Sequence, residues 1–524
     1  MSKSTLSIFA SLLLSTALAA PSVAAGAKHE AHTPGTLPHY VLFDVGTFGG
    51  GFSSICGLAC RVLNSHGNVV GIDATTIPDP FCPDWCFIGD NVGHAFEWKN
   101  GGTNDLGALQ YGVSSFGLGL NDKGLVTGIS QNGKSDPDTG AFEGRAVIWK
   151  GGKIKDLGTL GGTQSAGGPT VNSSGQVTVQ SSTSDSSDPY IGVPQANCIW
   201  LPSTERDCGG LDFGINALFL PVTTSAHGAV WAKDTGLTDV GTLGGPDSMV
   251  IDINDAGQAV GWAYTSYQAG ASGVPDTHPF VWDSATKSFT DLGTLGGTFA
   301  SATLINNNGQ VTGTSNLAGD TELRPFIWDK DNGMRDLGSL GGDYGHGDWI
   351  NNLGDVVGFS RTTPGSIAGH AFFAHNGGMT DLGVIGDDPE SEATGINNKG
   401  MIVGGDFDRN VGDLRGWISD NGAALVDLNT LVRKPHGLYV VVAHYVNDRG
   451  VIAAQALTTK GEEHTVVLVP EKDLDMLAQM NAAVGTASHA NESAAAPTHS
   501  QVVRMRQPSC AGFGRARPDH CRRG

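Results

Sequence analysis

One recurring phrase restricts the possible folds of this chain more than any other feature. It reads Asp-Leu/Val-Gly-Thr/Ser-Leu/Phe-Gly-Gly, and its clear copies begin at Asp44, Asp156, Asp239, Asp291 and Asp336, with weaker copies at Asp105, Asp381 and Asp427. From Asp239 onward it returns about every 45 residues, a period typical of solenoids, propellers and repeat arrays. The sequence therefore predicts a fold built from copies of one supersecondary unit.

A second motif, Asn-x-x-Gly, lies between two short apolar runs in every copy. It begins at Asn64, Asn121, Asn172, Asn254, Asn306, Asn351, Asn397 and Asn447. β-Branched residues on both sides of a polar four-residue stretch indicate a β-hairpin. Asn suits the first position because its side chain can bond the backbone two residues on, and Gly is favoured at the fourth.

A third motif predicts another strand, which opens with a basic residue and often ends with Trp. Its basic residues are His94, Arg145, His227, His278 and Arg324, with degenerate copies at His370, Arg415 and His464. A position that repeats in every unit is expected to be architectural rather than catalytic. We expect each basic residue to bond the repeated Asp or a backbone carbonyl between neighbouring units.

These phrases resemble the extracellular HAF-repeat family of bacterial proteins. HAFEW from His94, HAFFA from His370 and DLGTLGG from Asp291 carry the resemblance, which covers roughly residues 40–469. The family implies a secreted protein with a repeated β-fold, and it implies no established activity.

Four strands per repeat of this length are the size of a propeller blade. The segment Tyr40–Asp44 reads as a fourth strand without its first three, whereas the last repeat, from Val440 to Val469, has three strands and no fourth. Pairing them would remove exposed edges, which are aggregation liabilities. The predicted fold is thus an all-β propeller of four-stranded blades, closed by the N-terminal strand, with eight blades favoured and seven possible.

The predicted domain organisation surrounds this propeller at 40–469. Lys3, an apolar run and Val23-Ala24-Ala25 predict an export signal over 1–25. A linker at 26–39 follows, and beyond the propeller we expect a short helix over 470–485 and then, at 486–524, a linker with a solvated basic tail. No other run is long enough to span a membrane, and a net charge of −21 argues against nucleic acid as a partner.

The cysteines number eight, which in an exported chain predicts disulfides. They are Cys56, Cys60, Cys82, Cys86, Cys198, Cys208, Cys510 and Cys521. Cys198 with Cys208 and Cys510 with Cys521 are the simplest local pairs. The first four could instead form a four-thiolate zinc site, although their spacing is less typical of one.

The loops from the second to the third strand are long in the first half of the repeat and short in the second, and all emerge on one face. Binding residues concentrate on loops held by a rigid scaffold. Aromatic side chains beside polar groups suit a glycan or a protein ligand. The candidate binding residues on this face are Trp85, Phe87, Tyr190, Trp200, Tyr264 and Tyr267.

The sequence therefore predicts a secreted, extracellular or periplasmic, monomeric binding or scaffold module for a glycan or protein, without a metal or cofactor. Its catalytic residues, if it has any, are unknown. The alternative is a secreted carbohydrate-active hydrolase or lyase that uses loop carboxylates such as Asp84 or Asp185. Such chemistry requires two carboxylates at a suitable separation.

Overall fold

A computed structural model describes residues 37–57, 59–80, 90–189, 199–200, 206–207, 223–270, 273–409, 411–432, 437–484 and 496–506. Apart from the helices α1 (Leu474–Val484) and α2 (His499–Arg506), regular structure in these residues is almost entirely β-strand. This architecture confirms the predicted all-β class with four-stranded repeats. Neither helix has the length and apolar character needed to cross a membrane.

The chain enters the described structure with strand β1 (Tyr40–Asp44) and continues into four-stranded antiparallel units. The first unit contains β2 (Gly49–Ser54), β3 (Val69–Pro78), β4 (Asn91–Lys99) and β5 (Gly102–Asp105). The second contains β6 (Ser115–Leu120), β7 (Val126–Ser135), β8 (Phe142–Lys150) and β9 (Lys153–Asp156). The third contains β10 (Gly161–Val171), β11 (Val177–Thr183), β14 (Ala226–Ala232) and β15 (Gly236–Asp239). Between β11 and β14 the chain forms a separate two-stranded sheet of β12 (Ile199–Trp200) and β13 (Arg206–Asp207). The fourth contains β16 (Ser248–Ile253), β17 (Gln258–Tyr264), β18 (Thr277–Asp283) and β19 (Phe289–Asp291).

The second half of the chain repeats this arrangement with shorter connections. The fifth unit contains β20 (Gly296–Ile305), β21 (Val311–Leu317), β22 (Leu323–Asp329) and β23 (Gly333–Asp336). The sixth contains β24 (Gly345–Ile350), β25 (Val356–Arg361), β26 (Gly369–His375) and β27 (Gly378–Gly383). The seventh contains β28 (Glu390–Ile396), β29 (Met401–Asp408), β30 (Gly412–Asp420) and β31 (Val426–Asp427). The last contains β32 (Leu438–Val446), β33 (Ile452–Thr458) and β34 (Glu463–Pro470).

Strand β1 supplies the fourth strand of this last unit. It pairs antiparallel with β34, in a register that runs from Tyr40 opposite Pro470 to Asp44 opposite Val466. Tyr40 is buried against Leu468 and other apolar residues of that unit. The predicted pairing of the two ends of the repeat is therefore present.

The core lies between successive units, because the apolar faces of neighbouring sheets pack against each other. One cluster joins Val230 of the third unit to Val250 and Phe280 of the fourth, and another joins Ile148 of the second to Val179 of the third. The Trp residues that end many third strands, such as Trp98 and Trp282, are buried in these layers. Strands such as β6, β11 and β16 are buried along their whole length, because both faces of a sheet between two neighbours are covered.

Antiparallel pairing gives every unit two distinct ends. The "turn end" contains the Asn-x-x-Gly turns and the turns between third and fourth strands. The "loop end" contains the connections from second to third strands and from each fourth strand to the next unit. The loop-end connections between second and third strands in the first half of the chain are 79–90, 136–141, 184–225 and 265–276. Those in the second half are 318–322, 362–368, 409–411 and 459–462, so the predicted difference in length holds except for the second unit.

The C-terminal helices lie against the repeat. Met476 and Met480 of α1 are buried, and this helix falls within the segment predicted to be helical. Helix α2 packs Val502 against Tyr439 and Leu457 of the last unit. Val502 thus covers apolar residues at the repeat, while the arginine side chains of the predicted basic tail, from Arg504 onward, lie outside the described residues.

Candidate functional site

The Asn residues of the turns form a continuous hydrogen-bonded series, here called the Asn ring. Each side-chain Nδ2 donates to the main-chain carbonyl of the Asn in the next unit, at 2.8–3.3 Å. The series returns to its start, because Asn447 of the last unit donates to Asn64 of the first at 2.9 Å. Each Asn Oδ1 also accepts main-chain N–H groups of its own turn, as from Asn308 and Gln310 at Asn306. The predicted Asn-to-backbone bond is confirmed.

A cavity of about 340 Å³ lies at the turn end, and turns from all the units line it. Its wall combines the Asn ring with apolar side chains such as Leu120, Ile253 and Ile396. The volume falls within the range of small-molecule sites. The side chains of the Asn ring are paired with one another, but the lining also includes polar side chains outside the ring, such as Asp122, Lys123 and Asn398.

The segment 55–62 reaches from the first unit across the first strands of several others. Cys56 and Cys60 form a disulfide within it, a pairing that the sequence analysis did not specify, and this bond rules out a zinc site made of the first four cysteines. Arg61 bonds Asp252 of the fourth unit through two nitrogens at 2.9 and 3.1 Å, and Tyr445 of the last unit donates to the Cys56 carbonyl at 2.8 Å. The disulfide loop therefore occupies the space between the first strands.

Three metal-ligating side chains converge on the first strands of the sixth and seventh units. His346, Asp348 and Glu392 place one ligand atom each within 4.8 Å of one another. The Nδ1 of His346 lies 2.8 Å from Oδ1 of Asp348. The His346 ring stacks on Phe359 and meets Tyr344 edge-on. We refer to His346, Asp348 and Glu392 as the acid–imidazole trio.

The electrostatics of the acid–imidazole trio are unusual for a protein interior. His346 and Asp348 are only 4% and 2% exposed, while Glu392 is half-buried. Burial, followed by the nearby charge of Asp348, raises the pKa of Glu392 to about 7. Oδ2 of Asp348 is buried without a hydrogen-bond partner among the described residues, and such groups call for an explanation.

The basic residue of each third strand is explained by its bonds. In five units the His Nδ1 lies about 3 Å from the repeated Asp of its own unit: His94–Asp105, His227–Asp239, His278–Asp291, His370–Asp381 and His464–Asp44. The opposite ring nitrogen of His94 contacts the carbonyl of Val113 in the next unit at 3.1 Å. The predicted bond to Asp is confirmed but lies within a unit, whereas the carbonyl bond joins two units.

The candidate binding residues of the loop end fall into two groups. Trp85, Phe87 and Tyr190 lie outside the described residues, as do Cys82, Cys86, Cys198, Cys208, Cys510, Cys521 and Asp84. Trp200 lies in β12, and its side chain is outside the description. Tyr267 is 51% exposed, whereas Tyr264 is 1% exposed and packs on Trp262. Tyr264 therefore supports this face from beneath.

The described loop end also presents large apolar side chains that the sequence analysis did not select. Tyr111 is 81% exposed and Ile77 is 58% exposed, and both belong to the first half of the repeat. Sequence alone could not separate them from buried neighbours, because exposure at strand ends depends on how far each hairpin extends.

Two carboxyl groups meet at the loop end between the third and fourth units. Burial, opposed in part by the main-chain N–H of Ala226, raises the pKa of Asp247 to about 7, and the negative charge of Asp188 raises it further. Asp247 and Asp188 are both buried. Asp185, by contrast, is exposed and accepts hydrogen bonds from Ser187 at 2.6 and 2.8 Å.

Comparisons with known proteins give a fold likeness and no family. No family model and no curated protein matches the chain. Among solved structures, TolB from Acinetobacter baumannii is 12% identical, with a TM-score of 0.31, and the alignment covers 66% of this chain and 64% of TolB. A prolyl endopeptidase structure is 10% identical, with a TM-score of 0.40 and coverage of 67% and 49%. A Trypanosoma rangeli sialidase bound to sialic acid is 10% identical, with a TM-score of 0.27 and coverage of 72% and 56%.

The chain thus spans less than two thirds of the length of each of these structures. At such identities and scores, none of them carries an argument about activity.

Proposed function

We propose that the chain is a closed eight-bladed β-propeller, in which each four-stranded unit is one blade. Three contacts between the ends of the repeat support closure: β1 pairs with β34, Asn447 donates to Asn64, and His464 bonds Asp44 at 3.0 Å. The continuous Asn ring favours eight blades over seven, because every unit takes part in it. The resemblance of the chain's repeat motifs to the HAF-repeat family remains part of this proposal.

Export of this propeller is the second element of the proposal. The Cys56–Cys60 disulfide supports it, since disulfides persist in oxidising compartments. The signal-like segment over 1–25 supports it independently. The protein would then act outside the cytoplasm, in the periplasm or outside the cell.

The function that the loop end supports best is binding of a glycan or protein. The observation that carries it is the exposure of Ile77, Tyr111 and Tyr267 on the half of the repeat that holds the longest loop-end connections. Exposed aromatic side chains supply contact area at low entropic cost, and they stack on sugar rings or fill protein pockets. The scaffold beneath them is rigid, which is the arrangement expected of a binding face.

A secreted hydrolase or lyase is the alternative, and the described carboxylates give it less support. Asp247 is buried, and Oδ1 of Asp247 accepts the main-chain N–H of Ala226 at 2.8 Å, so one of its oxygens is already engaged by the scaffold. Asp185 is exposed and bonded to its own turn. Assays for new reducing ends or unsaturated products on a polysaccharide panel test this alternative directly.

The binding proposal is tested by immobilising the full chain and measuring retention of a glycan panel and of cell-envelope extract. The test variant carries Ile77→Ser, Tyr111→Ser and Tyr267→Ser. The control carries Leu353→Ser, since Leu353 is 43% exposed but lies at the turn end. We expect the test variant to lose at least ten-fold in affinity and the control to match wild type.

Equal retention by all three proteins would remove Ile77, Tyr111 and Tyr267 as binding residues. Further arms with Trp85→Ala and Trp200→Ala then test the remaining aromatic candidates. Turnover of a polysaccharide without lasting retention would favour the hydrolase.

A further inference from the structure

The acid–imidazole trio includes two departures from the repeat, at a position where the other units have apolar or small residues. Asp348 lies three residues before its ring Asn, a position that varies between units and holds Arg61 and His444 as well as Leu118, Ile251 and Thr303. His346 and Glu392 each lie five residues before theirs, where other units have Phe116, Gly167, Met249 and Val442. The scaffold therefore does not require these side chains, and their presence needs another reason.

The charges of the acid–imidazole trio also require an explanation. Two carboxylates and one imidazole meet in a largely buried space, and a buried carboxylate is costly unless a cation or hydrogen-bond donors compensate it. Arg409, whose charge acts on Glu392, is engaged by Glu390 at 3.0 Å. Glu392 has no hydrogen bond or ion pair to any residue in the described part of the chain, and Oδ2 of Asp348 is buried and unpartnered.

We propose that His346, Asp348 and Glu392 bind one divalent first-row transition-metal cation, zinc or manganese, between the first strands of the sixth and seventh units. The donor set decides the class of metal. Imidazole with carboxylates suits zinc and manganese, whereas calcium and magnesium prefer oxygen ligands alone. Stacking on Phe359 fixes the imidazole plane, as supporting contacts do at protein metal sites.

The geometry fits such an ion after small side-chain adjustments. Metal–ligand bonds of about 2.0–2.2 Å place the ligand atoms of one ion roughly 3–4 Å apart. The three ligand atoms already lie within 4.8 Å of one another. Partial exposure of Glu392 gives the ion a route from solvent, and water completes its coordination.

This site does not depend on the ligand proposed for the loop end, so its test is separate. The full chain is freed of metal with a chelator and titrated calorimetrically with ZnCl₂, MnCl₂, CaCl₂ and MgCl₂. The variants Asp348→Asn and Glu392→Gln preserve side-chain shape. The control is His66→Gln, because His66 faces Asp122 at 3.6 Å on the surface and models adventitious binding.

We expect one equivalent of zinc or manganese per wild-type chain, weaker binding of calcium and magnesium, and a higher Tm with zinc. Each ligand variant should lose at least ten-fold in affinity and the Tm increase, while His66→Gln keeps both. If Asp348→Asn does not fold, Glu392→Gln still tests whether the trio binds the metal, because Glu392 is partly exposed. The proposal is overturned if wild type binds less than one equivalent, or if Glu392→Gln binds as tightly as wild type.

Discussion

The turn end and the loop end of this repeat follow opposite rules. At the turn end, Asn makes the same hydrogen bond in every unit, and Gly follows it with a positive φ, as at Gly309 (77°). At the loop end, connections between second and third strands range from 409–411 to 184–225, and exposed side chains such as Tyr111 have no counterpart in most units. Repetition therefore identifies scaffold, and departure from it identifies residues free to take on function.

The largest expected effect comes from removing the strand that completes the last unit. Deleting 26–45 takes away β1 and exposes the edge of β34, including Val466 and Leu468. We expect aggregation or loss of a cooperative thermal transition, because an unpaired apolar edge strand is a template for association. Removing 507–524 is the matched truncation and should leave the Tm unchanged. A monomeric deletion protein that melts like wild type would contradict closure by β1.

A smaller but still large effect is expected at the Asn ring. The Asn306 side chain is buried and makes bonds to Asn308, Gln310 and Asn351. Asn306→Ala leaves buried main-chain groups unpaired, and we expect it to cost about 2–4 kcal/mol in the free energy of unfolding. Asn332→Ala, in an exposed turn with Asp329, should cost less than about 0.5 kcal/mol. Similar denaturation midpoints for the two variants would show that the ring does not hold the units together.

Much of the turn end could be predicted from sequence, because each signal occurs once per unit. Asn306 and its equivalents, the His278–Asp291 pair and the pairing of Tyr40–Asp44 with the last unit all follow from aligned copies. The acid–imidazole trio was missed because His346 and Glu392 come from different units and match no local metal motif. Aligning the copies on the ring Asn would have shown both as exceptions.

The disulfide loop and helix α2 were beyond sequence reasoning for another reason. Arg61 finds Asp252 only once the first strands surround a common space, and Val502 docks only where the last unit leaves Leu457 uncovered. Neither contact has a spacing or period in the chain. Such long-range contacts depend on the assembled fold.

The pH dependence of stability tests a buried group at the loop end of the first unit. Burial, followed by the charges of Asp44 and Asp105, raises the pKa of Asp73 to about 8. The folded chain therefore retains this proton up to about pH 8, whereas the unfolded chain releases it near pH 4. Between these values the unfolded state binds fewer protons, so stability falls as pH rises.

Asp73→Asn removes that loss, because the amide is neutral at every pH. We expect the variant to match wild type near pH 4 and to exceed it by on the order of a few kcal/mol above pH 8, as followed by denaturant unfolding. Asp283→Asn is the control, since Asp283 lies in an exposed turn and its pKa is lowered by the main-chain N–H of Thr286. Parallel profiles for Asp73→Asn and wild type would show that Asp73 is charged in the fold.

The smallest effect on stability is expected for an exposed side chain of the loop end. The contrast between the turn end and the loop end predicts the largest effect on ligand binding at such residues. Tyr267 is half-exposed in a loop that other units shorten or lack. Tyr267→Ser should change the free energy of unfolding by less than about 0.5 kcal/mol, as surface substitutions usually do. Tyr264→Ser, three residues away but buried on Trp262, should cost about 3 kcal/mol or more through lost packing. If chemical denaturation gives equal losses for the two variants, Tyr267 belongs to the scaffold rather than to the proposed binding face.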